Sequence, residues 1–321
     1  MRRSIPGREW HSPPPSDYEF GVTTVDLPNR FAGELRRWRG VRRCSQLELA
    51  LRAGTTQRHL SYIEQGRSRP GRTMVVRLAE SLGLSLRERN AMLLAAGYAP
   101  LFPESRLDDA ALRPAMRALE QILFGHLPYP AVIAGPHGHL VAANAAITVL
   151  TEGAAPALLR APVNLLRLAL HPDGMASRVL NLPEWGRHIL ENLRGRALRS
   201  PDPVLDDLLV ELHGYLPRSE PGPDHLGFAV PLRLRCAEGE LRLITTLTSF
   251  ATAVDVTLAE LHLEAFLPAD PDTARILATR VLAARAGEES REAARALPPD
   301  LVVGGSALRS DHPAPVKESR S

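Results

Sequence analysis

Gln57, Arg58, Ser61 and Tyr62 recur at helical spacing, so one helix would present all four side chains together. Their chemistry suits the edges of bases. A glutamine carboxamide can pair with adenine and an arginine guanidinium with guanine, each contact giving about 1–3 kcal/mol of discrimination. Ser61 and Tyr62 can reach either base or phosphate. The flanking residues supply the elements that such a helix needs. Ser45, with Glu48 three positions on, reads as a capping box opening a preceding helix. Leu49 and Ala50 face a core, and the small Ala50 allows close helix approach. Gly54 permits the left-handed turn that ends that helix. Thr55 or Thr56 then caps the second helix, which Leu60 and Ile63 anchor. Residues 45–66 therefore read as a helix-turn-helix, which places its second helix in the major groove of DNA. Thr56 lies at that groove-facing end. Gln46, at the start of the first helix, is placed for a backbone phosphate. Arg67 and Arg69 in the following loop read as two further phosphate contacts.

Charge is distributed accordingly. Residues 30–100 hold 14 arginines against 5 glutamates, a local charge of +9, whereas the rest of the chain carries 25 basic and 31 acidic groups. A basic module on an acidic body fits a phosphate-binding domain joined to one that does not bind phosphate. Lys317 is the only lysine among 39 basic residues. Cys44 and Cys236 are too few and too far apart for a disulfide framework or a cysteine zinc site, and free thiols in a cytoplasmic setting are expected. No apolar run approaches the length of a membrane span, and Arg2-Arg3 lacks the apolar stretch of an export signal.

At 321 residues the chain has room for two domains. Residues 1–27, with three consecutive prolines, read as a disordered arm. Five short helices follow within 28–100, the first marked by Phe31, Leu35 and Trp38. Residues 101–127 read as a linker with a helix near 114–124, whose Met116, Leu119, Ile122 and Leu123 share one side. A second domain spans 128–285. Its segments 131–134 and 139–143, split by Gly135-Pro136-His137-Gly138, form a hairpin. Helices are expected near 144–150, 182–193 and 204–212, then strands within 228–236, 240–250 and 260–267, and a last helix near 273–285. Leu232, Leu234 and Cys236 alternate with Arg233 and Arg235, and Glu238-Gly239 turns that strand into the next. The fold class is thus an all-α helix-turn-helix domain followed by an α+β domain with one antiparallel sheet. Residues 286–321 read as a disordered tail.

Two resemblances sharpen these readings. Ser45-Gln46-x-x-Leu49-Ala50, Gly54-Thr55-Thr56 and Ile63-Glu64-x-Gly66-Arg67 resemble the phage-repressor and xenobiotic-response-element class of regulators over residues 30–85. Tyr98-Ala99-Pro100, Tyr129-Pro130-Ala131, Leu140-Val141-Ala142-Ala143-Asn144, Asn164-Leu165-Leu166-Arg167, His171-Pro172, Pro183-Glu184-Trp185 and the stretch 255–261 resemble the MmyB-like regulators. That second resemblance covers nearly all of residues 28–285. It implies a PAS-like ligand-binding domain, with long-chain fatty acids or similar lipids as ligand class. One departure stands at Gly138, where family members often carry tryptophan.

Within the second domain, Asn144, Asn164, His171 and Trp185 are the candidate ligand contacts. The bland alternatives are that the Asn and His residues fix loops through backbone bonds and that Trp185 is core. His137 and His139 share a strand face, but no carboxylate or thiol nearby in sequence completes a metal site, so a solvent-exposed turn is the better reading. No nucleophile elbow, phosphate-cradling loop or dinucleotide fingerprint occurs, and neither enzymatic chemistry nor a cofactor is expected. Asp206 and Asp207 diverge on a helix and read as a solvated face. The expectation is a cytoplasmic, nucleoid-associated homodimer that binds a double-stranded operator at half-sites about one helical turn apart. Its second domain would hold a small apolar ligand. A dimerisation or protein-docking module without a ligand would leave much the same sequence pattern.

Overall fold

The computed structural model describes residues 27–217, 229–250 and 252–286. The expected arm and tail lie outside these residues, apart from their inner ends Leu27 and Ala286, which are helical.

Five helices build the N-terminal domain: α1 (Leu27–Val41), α2 (Gln46–Arg52), α3 (Gln57–Glu64), α4 (Arg72–Ser81) and α5 (Leu86–Ala95). Phe31, Leu35 and Trp38 of α1 are buried against Leu49, Leu60, Ile63, Leu78 and Leu93, which is the core that helical periodicity predicts. Gly54 sits at φ 59°, the left-handed turn between α2 and α3. Thr56, rather than Thr55, caps α3 by accepting the His59 N–H at 3.1 Å. The capping box expected at Ser45 is only half present. Ser45 accepts the Glu48 N–H at 3.1 Å, while the Glu48 carboxylate pairs with Arg52 one turn on. The reciprocal box occurs instead at α5, where Ser85 and Glu88 bond each other's backbone.

One buried charge organises this domain. Glu64, only 2% exposed at the end of α3, accepts from Arg39 Nε at 2.8 Å and Nη2 at 3.2 Å, and from Gln46 Nε2 at 2.6 Å. Its backbone carbonyl also accepts from Arg36. The carboxylate therefore ties α1 and α2 to the third helix.

The second domain begins with α6 (Arg113–Gly125) and continues through β1 (Ala131–Ala134), β2 (Leu140–Ala143), α7 (Thr148–Thr151), α8 (Leu165–Leu170), α9 (Leu182–Arg199), α10 (Pro203–Tyr215), β3 (Leu232–Cys236), β4 (Gly239–Ser249), α11 (Val256–Glu260), β5 (His262–Pro268) and α12 (Pro271–Ala286). The five strands form one antiparallel sheet in the order β2-β1-β5-β4-β3, in keeping with the PAS-like domain that the resemblance implies. The β3–β4 hairpin pairs Leu232 with Leu243 and Leu234 with Leu241, all fully buried, as the alternation predicts. Three readings of the sequence are corrected. The short helix α8 lies where the periodicity predicts no separate element. The strand expected from residue 260 starts at His262, because 256–260 form α11. Ile122 lies 43% exposed, away from the buried stripe of Leu119 and Leu123.

The sheet's two faces have different covers. On β5, Leu263 and Ala265 pack with Leu119 and Leu123 of α6. His262, Glu264 and Phe266 point the other way, towards α8 and α9.

The connection between the domains is pinned at both ends. Asn90 of α5 accepts the N–H groups of Leu101 and Phe102 at 3.0 and 3.1 Å and donates to the Phe102 carbonyl at 2.7 Å. Asp255, which caps α11, accepts the Ser105 N–H at 3.1 Å, and the Pro103 carbonyl accepts from Val256 at 2.8 Å. The helix-turn-helix domain is therefore seated on the sheet domain at α11.

Replacing Glu64 with alanine takes the shared acceptor away from the half-buried Arg39 guanidinium and from Gln46. Denaturant unfolding is expected to show a loss of about 1.5–3 kcal/mol from the N-terminal domain, the scale of hydrogen bonds to a charged group. A loss below about 1 kcal/mol, the scale of an exposed pair, would contradict this organising role.

Candidate functional site

The outer face of α3 carries the side chains anticipated from its spacing. Gln57 and Arg58 are exposed, and Ser61 and Tyr62 are half-buried. Arg58 is not free to swing. Its Nε donates to the Tyr62 hydroxyl at 3.0 Å, and the guanidinium lies 5.5 Å from the ring centroid. The Ser61 hydroxyl accepts from Gln65 at 3.0 Å. Gln57 and Arg67 are exposed and make no side-chain hydrogen bond among the described residues. Thr56 is exposed at the start of the helix, its hydroxyl engaged as the cap. Arg69 donates to the Ala96 carbonyl at 3.2 Å and leans over Tyr98, so it also ties the 66–70 loop to the end of α5. Gln46 departs most from expectation: its amide N–H is directed inward, onto Glu64.

The sheet domain contains a cavity of about 1000 Å³ between the inner face of the sheet and helices α8 and α9. Its origin lies in the side chains along β4 and β5. Up to Leu243, the inner face carries large leucines that meet Leu190, Leu193 and Leu212 in a closed core. Beyond that point the strands offer Thr245, the exposed Leu247 and Ser249 on β4 and His262 and Glu264 on β5, which do not fill the space. Helix α9 lines it with a stripe at helical spacing: Trp185, Ile189 and Leu193 are apolar, and His188, Asn192 and Arg196 are polar. A deep apolar wall grading into a polar mouth is the usual form of a small-molecule site.

Among the four candidate ligand contacts, Trp185 alone lines the cavity. It is buried as well, 6% exposed, so core and cavity wall are here the same role. Asn144 is a backbone clamp. Its Oδ1 accepts from Ala131 at 3.2 Å, and its Nδ2 donates to the carbonyls of Leu123 and Tyr129 at 3.1 and 2.9 Å. Asn164 caps α8 through Leu166 and Arg167 and donates to the His137 carbonyl at 2.9 Å. His171 accepts the Asp173 N–H at 3.0 Å and stacks edge-on against Tyr215. These three hold strands and loops in place.

His139 is exposed beside the 136–138 turn, as expected, whereas His137 within that turn is half-buried. Its Nε2 lies 2.5 Å from the Asp202 carboxylate at the cavity rim. Burial pushes the Asp202 carboxyl up, but the His137 ring and the amides of Val204 and Leu205 more than offset this and leave it below the usual range. No group of three metal-binding side chains occurs among the described residues. Gly138 has φ 79°, and a Cβ there would meet Leu166 Cγ at 2.8 Å. A tryptophan at this position would clash with α8, so the departure noted at Gly138 belongs to the local packing.

The ligand-domain stretch matches the family model described as MmyB-like transcription regulator ligand binding domain over residues 115–279, just over half of the chain. The chain belongs to the MmyB-like family of transcription regulators. Residues 35–89 match a helix-turn-helix model. No curated protein matches the chain. Three solved structures illustrate the likenesses. An HTH_3 family transcriptional regulator from Vibrio cholerae is 25% identical over 22% of this chain and 39% of its own, with a TM-score of 0.20. The chain thus spans about two fifths of that regulator's length. The clp gene regulator ClgR from Corynebacterium glutamicum is 23% identical over 23% of this chain and 92% of its own, TM-score 0.20. An RNA-binding light-oxygen-voltage receptor is 14% identical over 84% and 66%, TM-score 0.22. TM-scores this low carry no argument about function. No helix among the described residues is long and apolar enough to cross a membrane.

Proposed function

We propose that this MmyB-like chain is a sequence-specific DNA-binding transcription regulator governed by a small apolar ligand held in its sheet domain. Residues 28–100 read the operator, residues 128–285 hold the ligand, and 101–127 join them. Helix α3 enters the major groove, with Gln57 and Arg58 towards the bases and Arg67 and Arg69 towards phosphate. Two copies would act on paired half-sites in the cytoplasm. The role proposed is recognition, without catalysis.

The cavity is the observation that carries the ligand reading over a purely protein-docking module, because a docking module needs no interior space. Its apolar depth suits a hydrocarbon chain of fatty-acid type. At its rim Arg196 has no carboxylate partner among the described residues, which suits a carboxylate head.

Two measurements test these halves separately. Selection of duplexes from a random library should yield a consensus. Gln57→Ala and Arg58→Ala should each then weaken binding to it by roughly tenfold to a hundredfold. Unchanged affinity and selectivity in both variants would remove α3 from the role assigned to it. For the ligand, N-phenyl-1-naphthylamine should fluoresce on binding the full chain and be displaced by dodecanoate. Ala169→Trp, which fills the cavity from α8, should abolish both signals with the fold intact by circular dichroism. Undiminished binding by that variant would place the ligand elsewhere.

A further inference from the structure

The mouth of the cavity is not made by the sheet domain alone. Ser85, Arg87 and Glu88, at the capped start of α5, line it together with Ser200 and Glu260. The first three lie within the helix-turn-helix match and outside the ligand-domain match, so neither match gives them a part in ligand binding. They are held to the sheet domain by specific polar contacts. Arg87 donates from Nε and Nη2 to the two oxygens of Glu260 at 2.6 and 2.9 Å, a two-pronged pairing, and reaches Glu104 at 2.7 Å. Glu88 accepts from the Ser200 hydroxyl at 2.5 Å. The Arg42 side chain donates to the Arg199 carbonyl at the end of α9. Ser85 and Glu88 are fixed relative to each other by their capping box, and Asn90, one turn later, pins the connecting segment.

We infer that the ligand site is composite, with the first turn of α5 in the DNA-binding domain forming its outer wall. This rests on the cavity being a ligand site, as proposed above. The consequence is thermodynamic. If the docked DNA-binding domain raises the cavity's affinity for a molecule, that molecule favours the docked position by the same factor. Sheet-domain residues bind the apolar body, and Arg87 and its partners control passage through the polar end.

Stopped-flow release of N-phenyl-1-naphthylamine from the full chain tests this. Arg87→Ala should speed release by about threefold to fivefold, the scale of a partly exposed ion pair. Glu260→Gln, which keeps its shape and loses its charge, should do the same if Arg87→Ala proves poorly folded. In the unaltered chain, release should quicken as salt rises from about 0.05 M to about 0.5 M, because screening weakens the Arg87–Glu260 pair. In Arg87→Ala that salt dependence should vanish. Arg275→Ala, whose exposed pairing with Asp272 lies on α12 away from the mouth, should leave release unchanged. Identical, salt-independent release in the unaltered chain and both mouth variants would overturn the composite site while leaving the cavity as a ligand site. Absence of any probe binding to the unaltered chain would overturn the cavity reading and the composite site with it.

Discussion

The pinning of residues 101–105 is the constraint on which the rest of this structure depends. Two buried polar side chains produce it. Asn90 satisfies three backbone groups of Leu101 and Phe102, and Asp255 takes the Ser105 amide while capping α11. A connection without secondary structure would ordinarily let two domains move independently. Here moving the domains apart would strip the buried Asn90 amide and Asp255 carboxylate of these partners. The segment therefore fixes where α5 sits, and through α5 which residues close the cavity. The Arg87–Glu260 pair follows from this placement and could not produce it alone, because such a pair near the surface is weak.

Within the N-terminal domain, Glu64 has a comparable role on a smaller scale. By gathering Arg39 and Gln46 it sets the angle at which α3 is presented. The residues left outward on α3 then have chemistry suited to a groove, and the Arg58–Tyr62 contact limits the freedom of the longest of them. Pre-ordering of this kind reduces the entropy lost when a side chain is immobilised on a partner.

Much of this was legible in the sequence. The helix-turn-helix could be read because each of its parts has a local cause: Thr55 or Thr56 as cap, Gly54 as left-handed turn, Leu60 and Ile63 as anchors. The β3–β4 hairpin could be read because Leu232, Leu234, Leu241 and Leu243 alternate with polar neighbours. The site was harder to read, and the reasons are physical. Asn144, Asn164 and His171 stand out as polar residues in apolar surroundings, but a buried amide clamping backbone leaves the same sequence trace as one awaiting a ligand. The apolar residues of α9 could equally have belonged to a solid core. Whether they enclose a void depends on what faces them, and the small or polar Thr245, Ser249, His262 and Glu264 come from strands more than fifty residues away. The inward turn of Gln46 depends on Glu64, eighteen positions on. The role of Arg87 depends on Glu260, 173 positions distant.

On the proposed reading, with α3 on DNA and a ligand in a cavity whose mouth the N-terminal domain shares, occupancy and DNA affinity would be one equilibrium. The most direct test is fluorescence anisotropy of a duplex selected by the full chain, titrated with and without saturating dodecanoate. The account predicts that dodecanoate shifts the apparent Kd by about fivefold or more, the lower end of ordinary coupling between sites. An unchanged Kd, with dodecanoate demonstrably occupying the cavity, would contradict it.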